Sequence, residues 1–420
     1  MSPVQLLLDP RNTTGILAGK LWIREGSRAD PYSKKGLHQI LGGVINRGCG
    51  PYNHIEVADL IEGSGAELRC DTFEDGLLIS LKCAAKDHST ILPLLGWMIT
   101  SPILETSQIN IERELSIQGL KRQNESPFHL AFNSWRELVY KGSVYGHDPL
   151  GSIDNIALIN RDDIVGKAKK LPSSEKTLIL SGSIPESYID DISTIGKINL
   201  LTNGASNVSE RQNEIEKFKQ EEDKQTIVLT KQDISQVVLI LGTKTIAHSH
   251  NDDLLLRLLS CYLGSGMSSL LFRKLREEYG VAYDVGVYHP IREYNAPFIV
   301  HASTTKEKAN KSFELLISCW RSLMENELSE DDMHLIRAKF KGNMAQNSQT
   351  ISQRAERKAQ LMGFKMRVDY DETCIDRINS ITSKEINQIA NRYLQKPKLS
   401  ICGHQNSLNK IQSQWLHKPF

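Results

Sequence analysis

The stretch Gly36-Leu37-His38-Gln39-Ile40-Leu41-Gly42-Gly43 sits where chemistry would be expected: after an apolar-rich segment, Leu17 to Ile23, and before a glycine-rich turn around Gly48 to Pro51. On a helix, positions 39, 42 and 43 share one face, because residues three and four apart are neighbours. A zinc hydrolase would fill that face with His, Glu and His, two imidazoles to hold the ion and a carboxylate to take a proton from the bound water. This chain places Gln39, Gly42 and Gly43 there. Glycine has no side-chain donor, and a neutral amide is a poor zinc ligand. His38 is turned by about 100° from position 39 on an ideal helix and points away from that face. His54 and Glu56 are expected in a turn without ligand spacing. His248 and His250 form an i, i+2 pair near a turn, for which packing is the simpler reading.

Composition narrows the remaining choices. The 420 residues, 40% of them apolar, can build large cores, enough for roughly two to four domains. There are 51 basic and 50 acidic side chains, a net charge of +1, so no imbalance points to nucleic acid or a lipid surface. Seven scattered cysteines without a C-x-x-C pair fit buried thiols in a reducing compartment. The N-terminus lacks the pattern of a signal peptide, and no apolar run approaches the ~18 residues of a membrane span. A cytoplasmic chain is the expectation.

The elements that must position these residues follow from periodicity. A strand is expected over Leu17 to Ile23, then the short helix at 36–43, a second helix from Ile55 to Glu62, and strands Glu67 to Thr72 and Leu77 to Ala84. Glu74-Asp75-Gly76 between these strands signals a hairpin. Helical spacing marks Ser89 to Ile99, Ile109 to Lys121 and Phe128 to Tyr140. Lys176 to Gly182 reads as a core strand. In the second half, strands are expected at Ser235 to Leu241, Val281 to Tyr288 and Phe298 to Ser303. Helices are expected at Asp252 to Leu263, Leu270 to Glu278, Lys306 to Met324, Ser329 to Asn347 and Ser352 to Leu361.

The halves repeat one another. The helix opened by Asn160 and the strand ending at Gly182 recur as the helix after Ile381 and the strand from Lys398 to Gly403. The expected organisation is therefore α+β, with one domain over 1–205, a polar linker over 206–223 and a second domain over 224–420.

Several stretches together resemble the mitochondrial processing peptidase and insulinase family, peptidase family M16, in its two-domain form. They are Leu21-Trp-Ile-Arg-Glu-Gly-Ser-Arg28, the 36–43 helix, Leu60-Ile-Glu-Gly-Ser-Gly-Ala-Glu-Leu68, Glu112-Arg-Glu-Leu115, Tyr145-Gly-His-Asp-Pro-Leu-Gly151 and Leu271 to Tyr283. The resemblance implies two homologous domains, each an antiparallel β-sheet packed against helices, in a LuxS/metallohydrolase-like fold. The family's inverted motif, His-x-x-Glu-His, falls on Gln39, Gly42 and Gly43. Its distal glutamate ligand falls on Gly119, seven residues beyond Glu112, which matches an accessory acidic residue. Every metal-site position is thus degenerate, and no cofactor is expected in this chain.

The family's substrate-contacting pair fares differently, because it falls on Arg276 and Tyr283, both present. A guanidinium and a phenol can hydrogen-bond a substrate carbonyl or a developing oxyanion. Gly264, Gly266 and Met267 match the family's short glycine-rich turn, and they lack the Gly-Lys-Ser/Thr signature of a phosphate loop. Arg69 and Asp71 depart from the Asn and aromatic residues that family proteases carry on the strand pairing with substrate. The resemblance implies a noncatalytic, substrate-binding subunit whose zinc and general base come from a partner M16 subunit of similar size. The substrates implied are extended peptides. A structural core-type subunit of a larger complex and a non-hydrolytic peptide-binding homodimer are the alternatives.

Overall fold

The computed structural model describes residues 2–12, 15–201 and 225–417. The expected linker over 206–223 lies outside the described residues. The chain forms two compact units that do not follow the sequence in one piece each. Unit 1 takes its described residues from 2–120, 148–201 and 345–370, and unit 2 from 121–147, 225–344 and 371–417.

Unit 1 is built on a six-stranded sheet. Its strands are β1 (Val4–Pro10), β2 (Ile16–Ile23), β3 (Glu67–Thr72), β4 (Leu77–Ala84), β5 (Lys176–Gly182) and β6 (Leu200–Leu201), in the order β3-β4-β2-β5-β1-β6. Strand β2 is almost wholly buried because both of its faces are covered. Leu17, Leu21 and Ile23 point into the main core with Leu92, Leu95 and Ile99 of the helix His88–Thr100. Trp22, on the alternate face, packs with Leu78, Ile179, Ala355 and Ala359. The last two residues belong to the helix Ile351–Gly363, which comes from the second half of the sequence. Ion pairs Lys20–Glu356 and Lys358–Asp9, each 3.0 Å long, fasten that helix to the sheet.

Unit 2 repeats the plan. Strands β7 (Ile227–Lys231), β8 (Gln236–Lys244), β9 (Asp284–Tyr288), β10 (Pro297–Thr305) and β11 (Lys398–Gly403) run in the order β7-β11-β8-β10-β9. Read from its other end, this is the order β3-β4-β2-β5-β1 of unit 1, strand for strand. The repeated α+β expectation therefore holds. The antiparallel expectation needs one amendment: β1 runs parallel to β5 and β6, and β7 runs parallel to β11. Neither β1 nor β7 was anticipated from the sequence.

Unit 2 also borrows a helix across the sequence. Pro127–Tyr140, from the first half, supplies Ala131, Phe132, Trp135, Val139 and Tyr140 to a core shared with Val238, Ile240, Ile299 and Cys402. The Trp135 indole N–H donates to the Lys398 carbonyl at 3.1 Å, and the Ser400 hydroxyl donates to the Ala131 carbonyl at 2.7 Å. Each unit is thus completed by a helix encoded in the other half.

Most expected elements lie close to their places, including the hairpin of β3 and β4. Strand β9 begins only at Asp284, leaving Val281 to Tyr283 as an approach to it, and the segment Phe272–Glu278 is π-helical.

Candidate functional site

The short helix Leu37–Val44 exists despite its two glycines because its start is held from outside. Gly36 has φ +94°, and a Cβ there would meet Ile156 Cδ1 at 2.4 Å and the Leu150 carbonyl at 2.6 Å, so only glycine enters this turn. Capping falls to Asp30. Its carboxylate accepts from the Gly36 N–H at 2.8 Å and the His38 N–H at 3.0 Å, placing an anion at the helix N-terminus. The same carboxylate lies 2.6 Å from Nδ1 of His38, whose ring is fully buried. His38 Nε2 lies 3.6 Å from Glu25, and Lys167 donates to Glu25 at 2.7 Å. His38 is a packing histidine that ties the helix to its support.

His38 above all, aided by Lys167 and opposed by burial, holds the Glu25 carboxyl down at about 2, against an ordinary 4.5. A depressed folded-state pKa contributes stability that is fully present above pH 4.5 and is lost as the pH falls toward about 2. Glu25→Gln is therefore expected to unfold at lower urea than the wild type at neutral pH, with the gap narrowing across that acid window. A gap that stayed constant down to pH 2 would show that the carboxylate charge contributes nothing.

At the positions matched to the zinc motif the space is already filled. A Cβ on Gly42 would lie 2.4 Å from Thr72 Oγ1, and one on Gly43 would lie 2.2–2.6 Å from three atoms of the Glu112 side chain. Glu112, on the helix Thr106–Glu125, is buried, and its carboxylate accepts from Arg47 Nη2 at 2.7 Å. Arg47 also donates from Nε to the Gly43 carbonyl at 2.9 Å and reaches Gln108 Oε1 at 3.4 Å. Burial pushes the Glu112 carboxyl above its ordinary value, while Arg47 opposes that rise. Gly119 differs: nothing lies within 4 Å of a Cβ built there.

Zinc does not fit this set. Gln39 offers an amide, Gly42, Gly43 and Gly119 offer nothing, and the chain's own ion pair fills the room beside Gly43. Among the described residues no group of three or more His, Cys, Asp or Glu is arranged to hold a metal ion. Sequence reasoning passed over Arg47, although a basic residue just past the helix end at Val44, able to turn back onto a C-terminal carbonyl such as that of Gly43, is a legible signal.

The other singled-out residues have definite places. Tyr283 stands half-exposed just before β9, with its N–H bonded to the Ser303 carbonyl. Desolvation raises its phenol above the ordinary value, against hydrogen bonds with Gln236 and Ser303, so it remains a proton donor at neutral pH. Arg276 is exposed in the π-helical segment, its guanidinium 5.0 Å from the centre of the Phe272 ring. Among the described residues no carboxylate pairs with it. His248 lies 2.6 Å from Asp253, which is also bound by Arg257 and His289, so it is tied to a buried carboxylate. His54 and Glu56 are not in a turn as expected. They open the helix His54–Gly63, where Glu56 closes a capping box with Asn53. All seven thiols are free, and burial pushes Cys49 up to about 12 and Cys83, Cys261, Cys319 and Cys402 up to about 11, leaving them inert at neutral pH.

Comparison with known proteins agrees with this geometry. Residues 8–147 match the profile of insulinase, peptidase family M16, and residues 177–340 match that of the peptidase M16 inactive domain. The chain belongs to peptidase family M16. An uncharacterized zinc protease YmxG of Bacillus subtilis is 20% identical over 391 residues, covering 92% of each chain. A protein of Helicobacter pylori described as a non-peptidase homolog YmxG is also 20% identical, over 87% of this chain and 84% of its own. Among solved structures, a peptidase M16 inactive domain from Pseudomonas fluorescens superposes with a TM-score of 0.83 at 18% identity, over 95% of this chain and 96% of its own. A chain of complex III2 from Candida albicans reaches 0.77 at 12% identity, over 97% and 96%. These superpositions speak for the fold. The M16 chain has no helix, among its described residues, that is long and apolar enough to cross a membrane.

Proposed function

We propose that this M16 protein is the noncatalytic, substrate-binding subunit of a heterodimeric zinc metallopeptidase that acts on extended peptides. The observation that carries the reading is the contrast between its two candidate sites. No zinc ligand stands at the metal positions and the room beside Gly43 is taken by the Arg47–Glu112 pair, while Arg276 and Tyr283 stand exposed with donors available to a peptide carbonyl. Zinc and the general base then belong to a partner M16 subunit of similar size. The reading keeps the sequence division into homologous halves at 1–205 and 224–420. It also puts the subunit in the cytoplasm, where its thiols stay reduced.

Reconstitution tests this. Alone, the chain is expected to bind no stoichiometric zinc and to leave a quenched fluorescent peptide uncut. With a zinc-motif M16 subunit captured from native extract, cleavage should appear. Arg276→Ala and Tyr283→Phe should each lower turnover by roughly tenfold or more, the loss of one preorganised donor, without weakening assembly. Zinc-dependent cleavage by the isolated chain would refute the assignment. Full turnover by both variants would remove Arg276 and Tyr283 from the site.

A further inference from the structure

The Arg47–Glu112 pair does more than close a disused site. We propose that Arg47 is the resident cation of the vacated metal position and that its free N–H groups receive a backbone carbonyl of an extended peptide. This rests on the peptide-binding reading above and assigns that reading a second anchor.

The location follows from the space at Gly43. A side chain there would have to pass through the Glu112 carboxyl group, 2.2–2.6 Å from the Cβ position. Glu112 therefore occupies the direction in which the second imidazole of a zinc motif would project. Arg47 Nη2 lies 2.7 Å from that carboxylate, and Arg47 Nε holds the Gly43 carbonyl. A fixed positive charge thus stands beside the helix face on which a metal would otherwise sit.

Its donors are not exhausted. A guanidinium carries five N–H groups; one from Nε and one from Nη2 are used at short range, and one from Nη1 reaches Gln108 only at 3.4 Å. The Arg47 side chain is 28% exposed and that of Glu112 is 11% exposed, so the cationic partner lies on the solvent side of the pair. Glu112 neutralises the overall charge, which removes the advantage of a carboxylate ligand. A neutral acceptor that gains from a charge-assisted bond remains favoured, and a peptide carbonyl is such a group.

A peptide has a natural track to this place. Among the described residues strand β3 is an edge of the sheet and pairs with β4 alone, so its other side offers backbone groups to an added strand. The end of β3 touches the same short helix, because the Thr72 hydroxyl donates to the His38 carbonyl at 3.1 Å and lies against Gly42. A guanidinium cannot generate hydroxide from water as zinc does, so this anchor holds a peptide without cutting it.

The test uses the full chain and an N-acetylated, C-amidated, fluorescein-labelled flexible decapeptide, which offers carbonyls but no terminal charge. Affinity is read by fluorescence anisotropy and folding by thermal melting. Arg47→Met, which keeps the stem and removes the donors, is expected to weaken binding roughly ten- to hundredfold, and Arg47→Lys to fall between it and the wild type. Glu112→Gln, which keeps shape and leaves Arg47 charged, is expected to retain or tighten binding even as it lowers the melting temperature. If Arg47→Met and Glu112→Gln both lose binding in step with stability, the pair is only a strut and the proposal falls. If the wild type binds the peptide, Arg276→Ala weakens it and Arg47→Met does not, the role of Arg47 is overturned while the peptide-binding reading stands. A wild type that binds no peptide overturns both.

Discussion

Rebuilding the inverted zinc motif in place, by Gln39→His, Gly42→Glu and Gly43→His together, is expected to give a less stable protein that still binds no zinc. Two effects compete. Replacing two helix-interior glycines gains about 1 kcal/mol each in helix propensity. Against this, a Cβ at position 42 must displace Thr72 Oγ1, which leaves its hydrogen bond to the His38 carbonyl. A Cβ at position 43 must displace the Glu112 carboxyl group, which can swing aside only by leaving Arg47. Overpacking costs about 1–3 kcal/mol a site, and parting the partly buried Arg47–Glu112 pair adds a share of the about 3–5 kcal/mol that a fully buried pair would cost. The losses win by several kcal/mol. Urea unfolding measures the first half of the expectation and zinc titration by elemental analysis the second. One zinc per chain with undiminished stability would show that the pair yields readily and that the site is dormant, not rebuilt. Gly119→Glu alone, with open space around it, should by contrast be tolerated.

What the sequence made legible and what it hid divide along physical lines. Local signals survived: Asn160 and Thr382 cap their helices through capping boxes, and the Glu74-Asp75-Gly76 turn closes its hairpin. The degenerate motif was legible too, because a missing donor is visible in one letter. The support of that helix was not. Asp30 lies six residues before Gly36 and acts through a folded-back turn, and Lys167 reaches Glu25 from 142 residues away. Arg47 lay within reach of a helix C-terminus argument, but Glu112 stands 65 residues further on and only the fold shows that its carboxylate fills the space at Gly43. Strands β1 and β7 escaped because a parallel partner is supplied from far along the chain, with no turn nearby to announce it.

The exchanged helices give the expectation with the widest consequence: a fragment of residues 1–201 and a fragment of residues 225–420 should each fail to fold alone and should fold when co-expressed. Unit 1 without Ile351–Gly363 would expose Trp22, Leu78 and Ile179 on one face of its sheet and leave the buried ammonium of Lys20 without Glu356. Unit 2 without Pro127–Tyr140 would lose Phe132, Trp135 and Tyr140 from its core. Deleting one large buried aromatic side chain costs about 3–5 kcal/mol, so losing three together, about 9–15 kcal/mol, is as large as the ~5–15 kcal/mol that holds a typical domain folded. Leaving out residues 202–224 removes none of these contacts when both pieces are present, and the entropy of association is the added cost. Near-ultraviolet circular dichroism and size-exclusion chromatography of each fragment, and of the pair, decide the matter. Cooperative melting of either fragment alone would mean that its sheet holds together without the borrowed helix. Reassembly of the pair, with neither fragment folded singly, would establish that the two repeats of this M16 chain are complementary parts of one folding unit although each looks like a domain in topology.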